Sequence, residues 1–463
     1  MEGVQPAFKL LPFTFAWCQI AADRFAMATL GLNGTPKATP YIALYTRNTD
    51  DAGSLQDLRL LNPFPCGLIE RKEIFMKANT PAGSLSRRER FVKTLNHLEP
   101  DRVPIDLGSA GGGITDVAYN RLKEYLGIMG DEGTTYTTTL VVSNFDERVL
   151  RALDVDIRRL GLRGPKRRPG RVEKGDGSWA DEWGIVYRKA GYYNQIVGNP
   201  VRNSTLADLD RYAWPDPGDP ALVEGLAQQA RSLYEGTEFG LSARSVSGGI
   251  FQTCCRLRSM EQFLIDMLLD KPFAKRLLAR VEETVLSLTE ALLSAVGPYV
   301  QMVETQDDLG TQRAPLISPA LYGELIQPCH ARLSALIKKK TDGKAKVFLH
   351  SDGSIFDLLP QVIQAGIEVL NPLQPHAAKM EAERLKAAFG QKLVFHSGLD
   401  QQQTIPFGTA AEAEANVRQV LRALAPGGGY IFSPCHNLQA DVPPENIVAI
   451  YQAAAQFGVY PIA

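Results

Sequence analysis

The chain has 463 residues, of which 44 % are hydrophobic and 22 % charged, the balance of a globular protein able to bury a large core. A formal net charge of -1 offers no electrostatic footprint for nucleic acid or an anionic membrane. No stretch approaches the ~18 uninterrupted apolar residues of a spanning helix, and six scattered cysteines without a CxxC pair fit reduced thiols in the cytoplasm better than a disulfide framework.

Residues 1–75 read differently from the rest. The segment FKLLPFTFAWCQIAADRFAMATLGL is apolar but has neither a basic n-region nor a small-x-small cleavage site, so it does not read as a secretory signal. No sustained period follows it. Lys72-Glu73 requires the purine-rich codons AAR-GAR just upstream of Met76, as a translated ribosome-binding site would. Residues 1–75 are therefore expected to be a poorly ordered or non-native extension, with Met76 the natural start.

From residue 85 the chain alternates strand and helix. Ser86 with Glu89 three residues on forms a capping-box pattern that opens a helix over 87–97. Short apolar strands are expected at 103–108, 155–162, 239–246, 299–305, 346–351, 368–374, 392–398 and 428–434, most followed by helical periods. Eight strands in β-then-α order predict a (β/α)8 TIM barrel rather than an open doubly wound sheet. Residues 163–220, rich in Gly, Pro, Trp and basic side chains, predict a loop and hairpin inserted after the second strand. The barrel is expected to span 76–463.

Such barrels carry their chemistry at the C-terminal ends of the strands. The polar residues assigned there are Asp106, Asp156, Arg244, Glu304, His350 with Asp352, Asn371 with Gln374, His396 with Asp400, and His436. Three of the six histidines close strands and His376 follows one closely. In KVFLHSDGS, the i, i+2 spacing of His350 and Asp352 puts both on one face of an extended segment, turned to the mouth.

Several blocks resemble the uroporphyrinogen decarboxylase superfamily, in its broad methyltransferase-like branch. They are SRRERFVKTLNHLEPDRVPIDLG, DDLGTQRAPLISPALYGELIQP, KVFLHSDGSIFDLLPQVIQAGIEVLNPLQP, FHSGLDQQQTIPFGT and APGGGYIFSPCHNLQADVPPENIVAIY. The resemblance runs from about Ser86 to the C-terminus and implies the same barrel. It also implies one of two chemistries: cofactor-free decarboxylation of tetrapyrrole acetates, or zinc-dependent methyl transfer with corrinoid proteins.

The residues separate the two. The decarboxylases carry an arginine-rich RQAGRY segment after the first strand; here LGSAGGGITDVAY has no arginine to grip substrate carboxylates. Asp156 matches the decarboxylase's pyrrole-binding aspartate, or else belongs to an internal ion pair. The methyltransferases bind zinc through HxC and a later cysteine. Here the corresponding positions are His350-Ser351-Asp352 and His436, a harder set that suits Zn²⁺ and admits Mn²⁺ or Fe²⁺. Glu304 is expected to be a fourth ligand or base. The alternative for HSDGS is a plain turn in which Asp352 bonds backbone N–H groups before Gly353.

Arg258 is expected to contact a substrate anion, with loop anchoring as its alternative, and Asp106, Asn371, Gln374 and Asp400 to line the substrate site. GSAGGG lacks dinucleotide-binding spacing, but its glycines would let a ligand approach the backbone closely. The leading expectation is a metal-assisted methyltransferase using a small methylated substrate and a separate corrinoid protein, since no D-x-H-x-x-G segment occurs. A homodimer is admitted; nucleic acid and membrane partners are not expected. The alternatives are a metal-free decarboxylase (a lyase) or a ligand-binding barrel.

Overall fold

The computed structural model describes residues 84–462, except 138–139, 168, 192 and 245–247. The expected extension over 1–75 lies outside the described residues. The Ser86 hydroxyl accepts a hydrogen bond from the Glu89 backbone N–H while the Glu89 carboxylate accepts one from the Ser86 backbone N–H, and the helix runs Arg87–Leu95. Its start follows the sequence pattern; Asn96 caps it slightly earlier than expected.

Seven strands form one parallel sheet: β1 (Ile157–Gly161), β2 (Gly240–Arg244), β3 (Met302–Gln306), β4 (Lys346–His350), β5 (Val369–Asn371), β6 (Val394–His396) and β7 (Tyr430–Ile431), each hydrogen-bonded to its neighbour in chain order. Between them run helices with a buried stripe, as in Lys271–Val296, where Phe273, Leu277, Val281, Val285, Leu288, Leu292 and Val296 recur every three or four residues. The result is a parallel α/β barrel of the TIM type.

The first expected strand, 103–108, is corrected. It forms no ladder, but it bridges the two edges of the sheet. Asp106 N–H donates to Phe432 O, Phe432 N–H donates to Pro104 O, and Asp156 N–H donates to Ile105 O. Pro104 has no N–H to extend a ladder, and Gly108 at φ +96° turns the chain away. The inserted segment is also richer than the expected hairpin: Val172–Glu173, Ser178–Ala180, Val186–Ala190 and Tyr193–Gly198 make a four-stranded antiparallel sheet.

Inside the barrel the strands alternate in layers. A lower apolar layer holds Ile157, Met302, Phe348, Val369, Val394 and Ile431. Two residues further along these strands come Arg159, Glu304, His350, Asn371, His396 and Ser433, as period-2 alternation requires. Phe91 and Leu95 of the first helix close the bottom, so tightly that a Cβ on Gly240 would sit 2.6 Å from the Phe91 ring. Burying such a phenylalanine contributes about 1.5–3 kcal/mol. The apolar plug therefore sets the floor on which the polar layer rests.

Candidate functional site

Three side chains, one at a strand end and two from loops, meet at the mouth. His350 ends β4, Asp352 follows it, and His436 lies beyond β7. One ligand atom from each lies within 4.8 Å of the others. His436 Nε2 is 3.4 Å and His350 Nε2 3.8 Å from Asp352 Oδ2. These gaps exceed good hydrogen bonds. They resemble the ~3.3 Å edges of a tetrahedron whose centre is ~2.05 Å from each donor. The donor set and its spacing thus fit a divalent cation.

Neighbours hold this cradle open. Gln374 Nε2 donates to Asp352 Oδ1 at 2.7 Å, and its Oε1 accepts the Gly353 N–H at 2.9 Å. The plain-turn alternative for HSDGS has Asp352 bonding backbone N–H groups before Gly353; here one Asp352 oxygen instead accepts from the Gln374 side chain. Gly353, at φ +82°, packs against Gly310, where a Cβ would meet backbone carbon at 2.6 Å. On the other side, His350 Nδ1 lies 2.6 Å from Asn371 Oδ1. His436 N–H donates to Gln401 Oε1 at 2.8 Å.

The electrostatics are those of a site built for positive charge. Burial penalises a charged His350 ring, but Asp352 and then Asp308 more than offset it and push its pKa up to about 9. Burial would likewise raise Asp352, yet His436 and His350 hold its carboxyl well below the usual range. Asp308 goes the other way, raised by burial and by Asp352. Its Oδ1 lies 3.7 Å from His350 Nε2 and accepts the Asp352 N–H. Sequence reasoning missed Asp308, although the quoted DDLG contains it.

Beneath the mouth lies a buried charged layer. Glu304 accepts from Arg159 Nε, Ser242 Oγ and Ala110 N–H, each at 2.8 Å, and faces Arg244 Nε at 3.5 Å. Both its oxygens are committed, and it is absent from the metal-capable cluster. The expectation of Glu304 as a ligand or base is corrected on that ground. Asp106 is paired with Arg159 and His396 rather than open to a substrate. Arg244 also donates to Gly108 O.

Other expectations move further. Asp156 precedes β1 rather than ending it. Its carboxylate is saturated by Arg87, Arg90, Arg102 and the Ile105 N–H, so the catalytic assignment gives way to the ion-pair alternative. Arg258 bonds Asp266, Val201 O and Ser204 O and stacks over Phe273, which makes it a loop anchor. Asp400 accepts from the backbone of Gln402, Gln403 and Thr404 and from His376 Nε2, capping a helical turn at the rim. Asn371 and Gln374 do reach the mouth, where they touch His350 and Asp352. In the glycine loop the close approach is to protein: a Cβ on Gly111 would lie 2.0 Å from His350 Cε1.

Fold and site together define a TIM-type α/β barrel with a metal-capable mouth. The family model for uroporphyrinogen decarboxylase (URO-D) matches residues 191–457, and the chain belongs to that family. Similar curated proteins include the uroporphyrinogen decarboxylase of Vibrio cholerae serotype O1, 22 % identical over 59 % of this chain and 74 % of that one. The uroporphyrinogen decarboxylase of Anaeromyxobacter dehalogenans is 26 % identical over 57 % of this chain and 71 % of that one. Among solved structures, a methyltransferase from Methanosarcina mazei superposes with a TM-score of 0.56 and 16 % identity, covering 81 % of this chain and 99 % of the other. That likeness supports the fold. No helix among the described residues is long and apolar enough to cross a membrane.

Proposed function

We propose that the protein is a metal-dependent methyltransferase that moves a methyl group between a small methylated substrate and a corrinoid carried by a separate protein. The convergence of His350, Asp352 and His436 carries this reading. These three residues would hold the ion, zinc first among the divalent choices. Bound there, it would supply Lewis acidity toward a substrate oxygen, or hold a thiol as thiolate. The chain's own groups do the rest. Gln374 aims Asp352, Asn371 aims His350, and Asp308 sits beside both as a carboxyl able to hold or release a proton. The methyltransferase likeness of the fold is consistent with this reading.

Decarboxylation is the second reading, favoured by the printed names of the curated relatives. Against it stands the fate of the arginines. Arg159 and Arg244 are turned to the protein's own Asp106 and Glu304, Arg158 is bonded to Glu147 and Arg258 to Asp266, and Arg256 donates to the Gln252 side chain. A polycarboxylate substrate needs unpaired guanidinium groups. Metal analysis of gently purified protein tests the proposal. About one zinc, manganese or iron per chain supports it; a metal-free protein that turns over uroporphyrinogen replaces it with the second reading.

A further inference from the structure

Four buried side chains form a chain of hydrogen bonds across the barrel interior, from Asp106 to His350. His396 Nε2 is 2.8 Å from Asp106 Oδ2, Asn371 Nδ2 is 2.9 Å from His396 Nδ1, and Asn371 Oδ1 is 2.6 Å from His350 Nδ1. We infer that Asp106, acting through His396 and Asn371, dictates which nitrogen of His350 faces the mouth, and that His396 and Asn371 are positioning residues for that nitrogen.

The direction of each bond follows from the first. Asp106 Oδ2 is shared by the Arg159 guanidinium, which only donates, so the oxygen accepts on both sides. His396 Nε2 must therefore carry its hydrogen toward Asp106. A neutral ring then has a bare Nδ1, which accepts from the Asn371 amide nitrogen. The amide oxygen is thereby turned to His350, whose Nδ1 must donate. The nitrogen left for the mouth is Nε2, the one that looks at Asp352 and Asp308.

A second contact fixes the amide independently. Asn371 Nδ2 also lies 3.4 Å from the His396 carbonyl, an acceptor that an amide oxygen would face unfavourably. Flipping the amide would require hydrogens on both nitrogens of His396. That would create an imidazolium in a fully buried site, beside a carboxylate already shared with Arg159. The consequence for metal binding rests on the proposed metal site, since a metal-ligating histidine is oriented by what its other nitrogen bonds. The hydrogen-bond order itself does not.

Long-range ¹⁵N NMR of the metal-free protein, with histidines assigned by single substitutions, reads the order directly. The expected result is His396 protonated on Nε2 alone and His350 protonated on Nδ1. A His396 neutral with its hydrogen on Nδ1, or a His350 with a bare Nδ1, overturns the inference. Zinc titration against a chelating indicator adds a second arm. Asn371→Leu should weaken binding roughly 10–100-fold. Asn371→Asp, which still accepts from His350 Nδ1, should keep affinity within several-fold while shifting the His396 ¹⁵N signals. A folded Asn371→Leu variant with wild-type zinc affinity also overturns it. Absence of zinc binding by the wild type would defeat the metal site alone, because the NMR arm needs no metal.

Discussion

Gln374 hands one carboxylate oxygen of Asp352 a hydrogen bond of 2.7 Å and so leaves the other to face two imidazoles. The residue is 1 % exposed and also holds the Gly353 backbone. It is the strut on one side of the cradle. Gln374→Leu should therefore lower zinc affinity by about tenfold or more with the fold intact. Calorimetric titration alongside circular dichroism checks this; unchanged affinity would remove Gln374 from the site.

Metal loading should also register as stability. A cation that binds only the folded chain adds about 2.7 kcal/mol when its concentration is a hundred times Kd. Zinc is expected to raise Tm in the wild type, EDTA to reverse the rise, and His436→Ala to abolish it. A rise of equal size in His436→Ala would place the ion elsewhere.

The Asp156 cluster should behave oppositely. Its carboxylate is fully buried among Arg87, Arg90 and Arg102. Removing it strands partly buried cations, at a cost of about 3 kcal/mol. Denaturant unfolding of Asp156→Ala should show that loss, while zinc affinity stays at the wild-type value. A loss of metal binding in a stably folded variant would return Asp156 to the functional site.

The buried layer below the mouth gives a pH signature. Burial alone would raise the carboxyl pKa values of Asp106 and Glu304. Arg159 overrides it for both, helped by His396 at Asp106 and by Arg244 at Glu304, and both are lowered. Groups with depressed folded pKa values bind fewer protons when folded than when unfolded. Their stabilisation is thus complete above the unfolded range, about pH 4, and is lost as pH falls toward the folded values. The unfolding free energy should drop steeply below about pH 4–5. Glu304→Gln should show a shallower slope; an identical slope would mean that Glu304 is not a linked group.

Much of this was readable beforehand, and the exceptions have physical causes. Strands β2 to β7 announced themselves as short apolar runs because both faces of a parallel barrel sheet are covered. Polar residues two positions past the inner apolar ones marked the barrel interior and paired His350 with Asp352, while His436 joins them as the resemblance implied. Asp156 misled because it opens the strand it was expected to close: it stands one residue before β1, at the base rather than the mouth. Asp308 escaped notice because it sits two residues past β3, in a loop, with no period to flag it. Glu304 and Arg258 were chemically apt, but a sequence does not reveal that all their hydrogen bonds are already committed to neighbours within the fold.

The space beside His350 is occupied by something too small to notice in a sequence. Gly111, at φ +72°, lays bare backbone against the imidazole, and the first carbon of any side chain would collide with Cε1 at 2.0 Å. A screen that randomised this position should return glycine almost alone. Even alanine would have to evict the ring from its berth and turn Nε2 off target. One missing methyl group thus steers the histidine as firmly as the bonds do.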